Sequence, residues 1–249
     1  MLRSTRGAIH RWLLRNLWAG APIYELIRLS RYRSPAVQLL KRLQMGGLKP
    51  KTVLDVGANR AEWSKHAAKV FPDAVFTLVE PVQEYGPILD RFLEGHPGST
   101  RLEAALGSAV GTVDIIIDPG LVGSSLLAPT QDGHVRQVEI QTLDGLIENG
   151  RLETPDLVKI DVQGAELDVL NGARRCLAKG PVVIVEVSLS RFYPLQPLAS
   201  EVITFLANEG YVLFDAWGLI RRDRDTRLLQ MDVCLCREDS DLRRDATWS

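Results

Sequence analysis

The sequence predicts an α/β fold built on a doubly wound, mostly parallel sheet with helices on both faces. Two observations carry this. Four short runs, Thr52–Val56, Val75–Val79, Leu157–Val162 and Val182–Val187, are almost continuously apolar. Strands apolar on both sides belong to sheets covered on both faces. Between and after them lie helical stretches at 60–70, 83–94, 165–178 and 199–209. Strand–helix–strand alternation is the signature of parallel pairing. With 249 residues, 45% of them hydrophobic, the chain is long enough for one sizeable core and shows no composition of disorder.

Taken in order, the elements begin with a basic extension. Ile9, Trp12, Leu13, Leu17 and Trp18 recur at helical spacing, with Arg11 and Arg15 elsewhere on the wheel. After Ser34-Pro35, Val37, Leu39, Leu40 and Leu43 predict a further helix, which Gly46-Gly47 stops. Residues 1–51 hold eleven Lys and Arg against one acid, Glu25, whereas the remainder holds 19 basic and 30 acidic residues. That asymmetry divides the chain into a basic helical extension at 1–49, a main domain at 50–238 and a charged tail at 239–249. The extension suits a cap on the domain or on a second copy of the chain in a homo-oligomer. It also suits a peripheral helix, through residues 1–45, at the anionic inner face of a membrane. Arg11 and Arg15 interrupt its apolar run, so it does not read as a signal peptide, and no stretch approaches a membrane span.

Leu102–Leu106 and Thr112–Ile117 read as strands joined around Gly107 and Gly111, with another at Val135–Gln141. Gly180-Pro181 ends the helix at 165–178. Tyr211–Phe214 and Met231–Cys236 read as the last strands. Cys234 and Cys236 share a strand face and form no CxxC with Cys176, which points to core thiols in a reducing, cytoplasmic setting.

In such sheets ligands sit beyond the carboxyl ends of the strands. Gly57, Ala58 and Asn59 follow the first strand, where a glycine admits close approach and the next helix offers free N–H groups. Glu80 follows the second strand, at a spacing of about 20–25 residues that suits a carboxylate holding the ribose of an adenosine cofactor. A dinucleotide wants GxGxxG. Here the run is Gly57-Ala58-Asn59-Arg60-Ala61-Glu62, and Glu62 would repel a phosphate at the helix N-terminus. S-adenosylmethionine (SAM) has no phosphate and fits these residues better.

Five segments together resemble the FkbM-type methyltransferases: VLDVGAN at 53–59, VEP at 79–81, SSL at 124–126, TLDGL at 142–146 and VKIDVQGAELDVLNGA at 158–173. The likeness covers roughly residues 50–215, and the last run is its most specific part. It implies a class I methyltransferase fold, a Rossmann-like seven-stranded sheet, SAM as donor, and O-methylation of a sugar, glycan or secondary-metabolite hydroxyl. By position it implies that Asp55, Gly57 and Asn59 line the methionine side of SAM and that Glu80 binds the ribose. Ala105, in the segment Ala104–Leu106, would border adenine, Ser124 and Ser125 the mouth, and Asp161 the transfer site. Two positions depart from the family pattern. Ala61 replaces a common glycine and is compatible with a negative φ inside a helix, costly otherwise. Gln163 replaces a frequent Glu.

A hydroxyl acceptor gains from a base within hydrogen-bond reach. The candidates are Asp161, Glu186 and His134. Asp161 could equally hold the following loop, Glu186 lies late in an apolar strand and needs a partner, and His134 sits in a glycine-containing loop. Glu166 reads as a helix-opening acid. Asp161 with Glu186 would permit a divalent cation without being diagnostic, and no metal is expected. Arg191, Phe192 and Tyr193 read as an aromatic platform or a packed loop. No nucleic-acid partner is expected, because the main domain is acidic and lacks an NPPY-like motif. The competing reading is a non-catalytic Rossmann-like binding protein acting through its basic N-terminal segment.

Overall fold

The computed structural model describes residues 34–117, 134–192 and 195–244. Seven strands form one sheet: β1 (Thr52–Val56), β2 (Val75–Val79), β3 (Thr100–Leu102), β7 (Leu157–Ile160), β8 (Val182–Ser188), β9 (Tyr211–Arg221) and β10 (Leu228–Arg237), in the order β3-β2-β1-β7-β8-β10-β9. All neighbours are parallel except β10, which runs antiparallel to both β8 and β9. The expected mostly parallel seven-stranded sheet is therefore present. The order reverses direction between β1 and β7, which opens a crevice at their carboxyl ends.

The alternation of side chains across the strands divides the core in two. On one face Val53, Leu157, Ile184 and Cys234 pack under α1 (Pro35–Met45), α2 (Glu62–Val70) and α3 (Gly86–Glu94). On the other, Leu54, Val56, Val158, Ile160, Val183 and Val185 pack under α4 (Leu143–Glu148), α5 (Glu166–Asn171), α6 (Arg174–Leu177) and α7 (Ala199–Asn208). Helix α1, with Pro35 in its first turn, buries Leu39, Leu40 and Leu43 fully. Arg42 Nε donates to Asp215 of β9 at 2.9 Å. This part of the extension is thus a cap on the domain. The predicted helix at 8–18 lies outside the described residues.

Several expected boundaries shift for local reasons. The run Leu102–Leu106 is not one strand. β3 ends at Leu102, and Ala105–Leu106 (β4) joins a second sheet with β5 (Gly111–Ile117) and β6 (His134–Gln141), in the order β4-β6-β5. The helix expected at 165–178 is broken at Gly172 and Ala173, and the close approach of Gly172 to the carbonyl oxygen of Gly107 leaves no room for a Cβ at the break. Asp144 takes up the new helix start by accepting from the N–H groups of Arg175 and Cys176, both at 2.9 Å. Helix α4 lies in the TLDGL run, capped by Thr142 Oγ1 accepting from Gly145 N at 3.1 Å, so that motif is architectural. The strand predicted at Tyr211–Phe214 extends to Arg221, carrying the β9–β10 hairpin over the crevice. The tail makes a short 3-10 turn at Asp241–Arg243, with Leu242 against the core. No helix among the described residues is long and apolar enough to cross a membrane.

Candidate active site

A cavity of about 350 Å³ opens at the β1/β7 switch point. Gly57, Asn59, Glu80, Ala105, Asp161 and Glu186 all line it, so six of the sequence candidates converge. They arrive from the carboxyl ends of β1, β2, β7 and β8 and from the second sheet.

The Glu80 end is shaped by backbone. Gly57 has φ +78°, and a Cβ there would run into the carbonyl oxygen of Asp161, far inside contact distance. Only glycine lets the β1 and β7 loops close on each other. The N–H groups of Gly57 and Ala58 both donate to Val79 O, at 2.9 and 3.1 Å. Glu80 Oε2 accepts from Asn59 N at 2.8 Å and Oε1 from Val82 N at 3.0 Å. These bonds aim a carboxylate into the cavity while leaving lone pairs on both oxygens. Burial pushes its pKa up to about 7, against the two backbone donors that lower it. Beside it, Tyr85, Ala104, Ala105, Leu106 and Ile115 supply an apolar wall. A flat adenine against that wall and ribose hydroxyls at Glu80 match this donor set, so the residues fit SAM.

Two candidates lie elsewhere. Asp55 does not line the cavity. It is buried within β1 and accepts from Ser64 Oγ of α2 at 2.5 Å, and burial raises its pKa to about 6. It anchors α2 behind the turn. His134 is exposed at the start of β6 and meets Arg136 Nη2 at 3.2 Å, while Arg136 pairs with Glu84 at 2.6 Å. A loop histidine in sequence is thus a strand-end residue outside the cavity. Ser124, Ser125, Tyr193 and Pro194 lie outside the described residues. Arg191 is engaged by Glu201 at 2.8 Å and by the carbonyl of Gln196, which makes its loop a packed one.

Ala61 takes the costly one of the two conformations left open by the sequence. It precedes α2, which starts at Glu62 rather than at residue 60, and has φ +56°. Its left-handed conformation costs an L-residue about 1–2 kcal/mol. Asn59 (φ +49°) and Gln163 (φ +54°) share that region, so non-glycine strain gathers in the two loops that meet here.

The other end of the cavity, at the half-buried Asp161 and Glu186, backs onto a charge cluster around a buried lysine that local sequence spacing did not assemble. Lys159, 4% exposed, donates to Asp161 Oδ2 at 3.0 Å and lies 3.8 Å from Asp232 Oδ1 of β10. Burial works against its charge, but Asp161, Asp232 and Asp55 outweigh it and hold the ammonium on. Asp161 Oδ1 accepts from Gln163 Nε2 at 3.0 Å. Glu186 Oε2 accepts from Gln163 Nε2 at 3.2 Å and Gln230 Nε2 at 3.1 Å. Burial, then the negative charge of Asp161, pushes Glu186 up to about 8. Glu166 opens α5 and accepts from Gly164 N at 2.9 Å, a loop-holding role. One signal for Lys159 was available: a lysine inside the otherwise apolar run Leu157–Ile160 needs a buried partner. Gln230 had none, because the hairpin that delivers it is long-range. Among the described residues no group of three or more His, Cys, Asp and Glu is arranged to hold a metal. The Lys159 ammonium stands where a cation beside Asp161 would go.

The profile of the Methyltransferase FkbM domain matches residues 55–213, more than half of the chain. Methyltransferase sdnD of Sordaria araneosa is 29% identical over 154 residues, covering 48% of this chain and 59% of that protein. Hexuronic acid methyltransferase AglP of Haloferax volcanii is 26% identical over 167 residues, covering 64% of this chain and 68% of its own. The aligned part thus spans little more than half the length of sdnD. Among solved structures, magnesium protoporphyrin IX methyltransferase from Synechocystis PCC 6803 aligns with a TM-score of 0.48 at 13% identity, over 93% of this chain and 92% of that one. The matched domain contains the switch-point cavity and every strand end that lines its Glu80 side, and the chain belongs to the FkbM family of SAM-dependent methyltransferases.

Proposed function

We propose that this chain O-methylates a hydroxyl of a sugar, glycan or secondary metabolite, with Glu186 as the base. The observation that carries the reading is the division of one cavity. Glu80 and the apolar wall suit an adenosine at one end, and Asp161 and Glu186 stand at the other. SAM, when bound, supplies a methyl carbon on a cationic sulfur. The protein contributes alignment of the acceptor oxygen behind that carbon and a group for its proton.

Glu186 fits the proton role best of the three candidates. Its Oε2 is held by two amides, which leaves Oε1 directed by them and open to an acceptor hydroxyl. Asp161 is paired with the Lys159 ammonium, which favours its ionised form and makes it the poorer proton acceptor, so it positions rather than accepts. His134 is outside the cavity. The described lining residues include no Lys, Arg or His, which favours a neutral hydroxyl over an anionic acceptor group. AglP is named for a hexuronic acid, which supports a sugar as acceptor class. The test is transfer of labelled methyl from SAM to glycan and metabolite extracts. Glu186→Gln is expected to reduce turnover at saturating SAM by about 100-fold or more. Full turnover in this variant sinks the base assignment.

The remaining basic extension, residues 1–33 with seven arginines, is the proposed surface for an anionic inner membrane face or a second subunit. Sedimentation with phosphatidylserine vesicles at low and high salt, beside light scattering of the free chain, separates the two. The three cysteines are free and buried, which supports a reducing, cytoplasmic setting.

A further inference from the structure

Strand alternation brings Asp55 (β1), Lys159 (β7), Asp161 just after β7, Glu186 (β8) and Asp232 (β10) to one face of the sheet; Asp161 and Glu186 line the cavity and the other three stand behind them. Register makes Asp55 the partner of Lys159, and Glu186 the partner of Asp232. The groups facing Glu186 are therefore Asp161 and Lys159 from β7, Asp232 from β10 and Glu166 from α5, with the neutral amides of Gln163 and Gln230 beside it. One buried ammonium stands among several carboxylates, of which Asp161, Glu186 and Asp232 are half-buried, and it is already shared by Asp161 and Asp232. Glu186 has no cation of its own within this set. Crowded buried carboxylates do not all ionise together; one keeps its proton until a positive charge is added.

We infer that Glu186 carries its proton while the cavity holds no cation and surrenders it to solvent when the cationic methyl donor binds, so that the base is armed by the donor's own charge. The inference rests on the donor and base assignments above. Glu186 is then a carboxylate facing the acceptor. In the transfer the acceptor O–H bond breaks and its proton passes to Glu186 Oε1. The oxygen's electron pair forms the bond to the methyl carbon, and the carbon–sulfur bond breaks with its pair remaining on sulfur. A carboxylate and a sulfonium are consumed; a carboxylic acid and a neutral thioether result. Glu186 ends in the protonated form that the cation-free cavity favours. The proton of each turnover therefore leaves when the next donor binds, not at the chemical step. Burial and the Asp161 charge, which raise Glu186 to about 8, agree with this order of events.

The experiment is titration calorimetry of the full chain near neutral pH in buffers of differing ionisation enthalpy. The probes are SAM and S-adenosylhomocysteine, which differ by the methyl group and its charge. SAM is expected to release roughly one proton per site and S-adenosylhomocysteine none. Glu186→Gln is expected to bind both without releasing a proton. Asp232→Asn removes a negative neighbour and is expected to move the proton release with SAM to lower pH. Equal release with both probes, wild-type release in Glu186→Gln, or an unmoved profile in Asp232→Asn each overturns the inference while leaving the donor assignment intact. Failure of the wild-type chain to bind SAM at millimolar concentration overturns the donor reading together with the inference.

Discussion

At its Glu80 end the cavity is made by backbone: a glycine with no room for a Cβ, two N–H groups on one carbonyl, and a carboxylate aimed by the amides of Asn59 and Val82. At its Glu186 end it is made by side chains from β7, β8 and β10, in which Lys159, Gln163 and Gln230 hold Asp161 and Glu186 in place. The first end tolerates almost no change of shape, because its contacts are main chain against main chain. The second tolerates changes of shape but not of charge. The proposed binding of the donor and the proposed handling of the proton thus fall on different kinds of structure.

The most severe way to break this contrast is at Gly57. Gly57→Ala forces the β1 loop away from Asp161 and strains a φ of +78°, with an expected loss of about 3 kcal/mol in stability and of SAM binding altogether. Thermal melting and calorimetry read both, and a variant that binds SAM normally shows that the two loops can separate at no cost. Next comes Glu80→Gln, which substitutes one acceptor oxygen by an NH2 facing a backbone N–H. SAM affinity is expected to fall about 10- to 100-fold. S-adenosylhomocysteine should lose as much, since the ribose is common to both. A selective loss of SAM would instead assign Glu80 to the charge cluster.

A change of pH strains both ends of the cavity and the Asp55 anchor behind the turn. Asp55, Glu80 and Glu186 all have folded pKa values above their ordinary ones, at about 6, 7 and 8. Between the unfolded and folded values the native state binds more protons than the unfolded chain. Stability is therefore greatest below the ordinary carboxylate range of these three groups and falls as pH rises through their folded values. The expected loss between about pH 5 and pH 8 is several kcal/mol, read as a falling midpoint in urea or heat. Glu186→Gln should flatten the upper part of that slope. A midpoint that rises steadily over this window contradicts the charge cluster.

The smallest effect belongs to the strained turn. Ala61→Gly relieves a left-handed alanine but gives up a buried methyl and adds freedom to the unfolded chain, so a gain of roughly 0.5 kcal/mol is expected. A drop in melting temperature means that the methyl's packing outweighs the strain.

Gly57, Asn59 and Glu80 were legible in the sequence because their neighbours in space are one strand–helix–strand unit away. Ala61 was left open between a helical φ and a costly positive one, and the later start of α2 gives it the positive one. His134 was misread because a glycine-containing stretch hid the start of β6. Lys159 was visible as an anomaly without its partners. Gln230, and the pairing of Asp232 with Lys159, were not legible, since they depend on a β9 that runs on to Arg221 and folds back as β10.

By itself the sequence determined the sheet's parallel strands, their two-sided burial, the turn after β1 and the carboxylate that follows β2. Those features are written in local periodicity and in residue types that backbone geometry demands. Only the tertiary structure decided which carboxylate lacks a cation. That is a balance of charges from strands distant in the chain but adjacent in the sheet, and electrostatics in a buried site depends on distance in space.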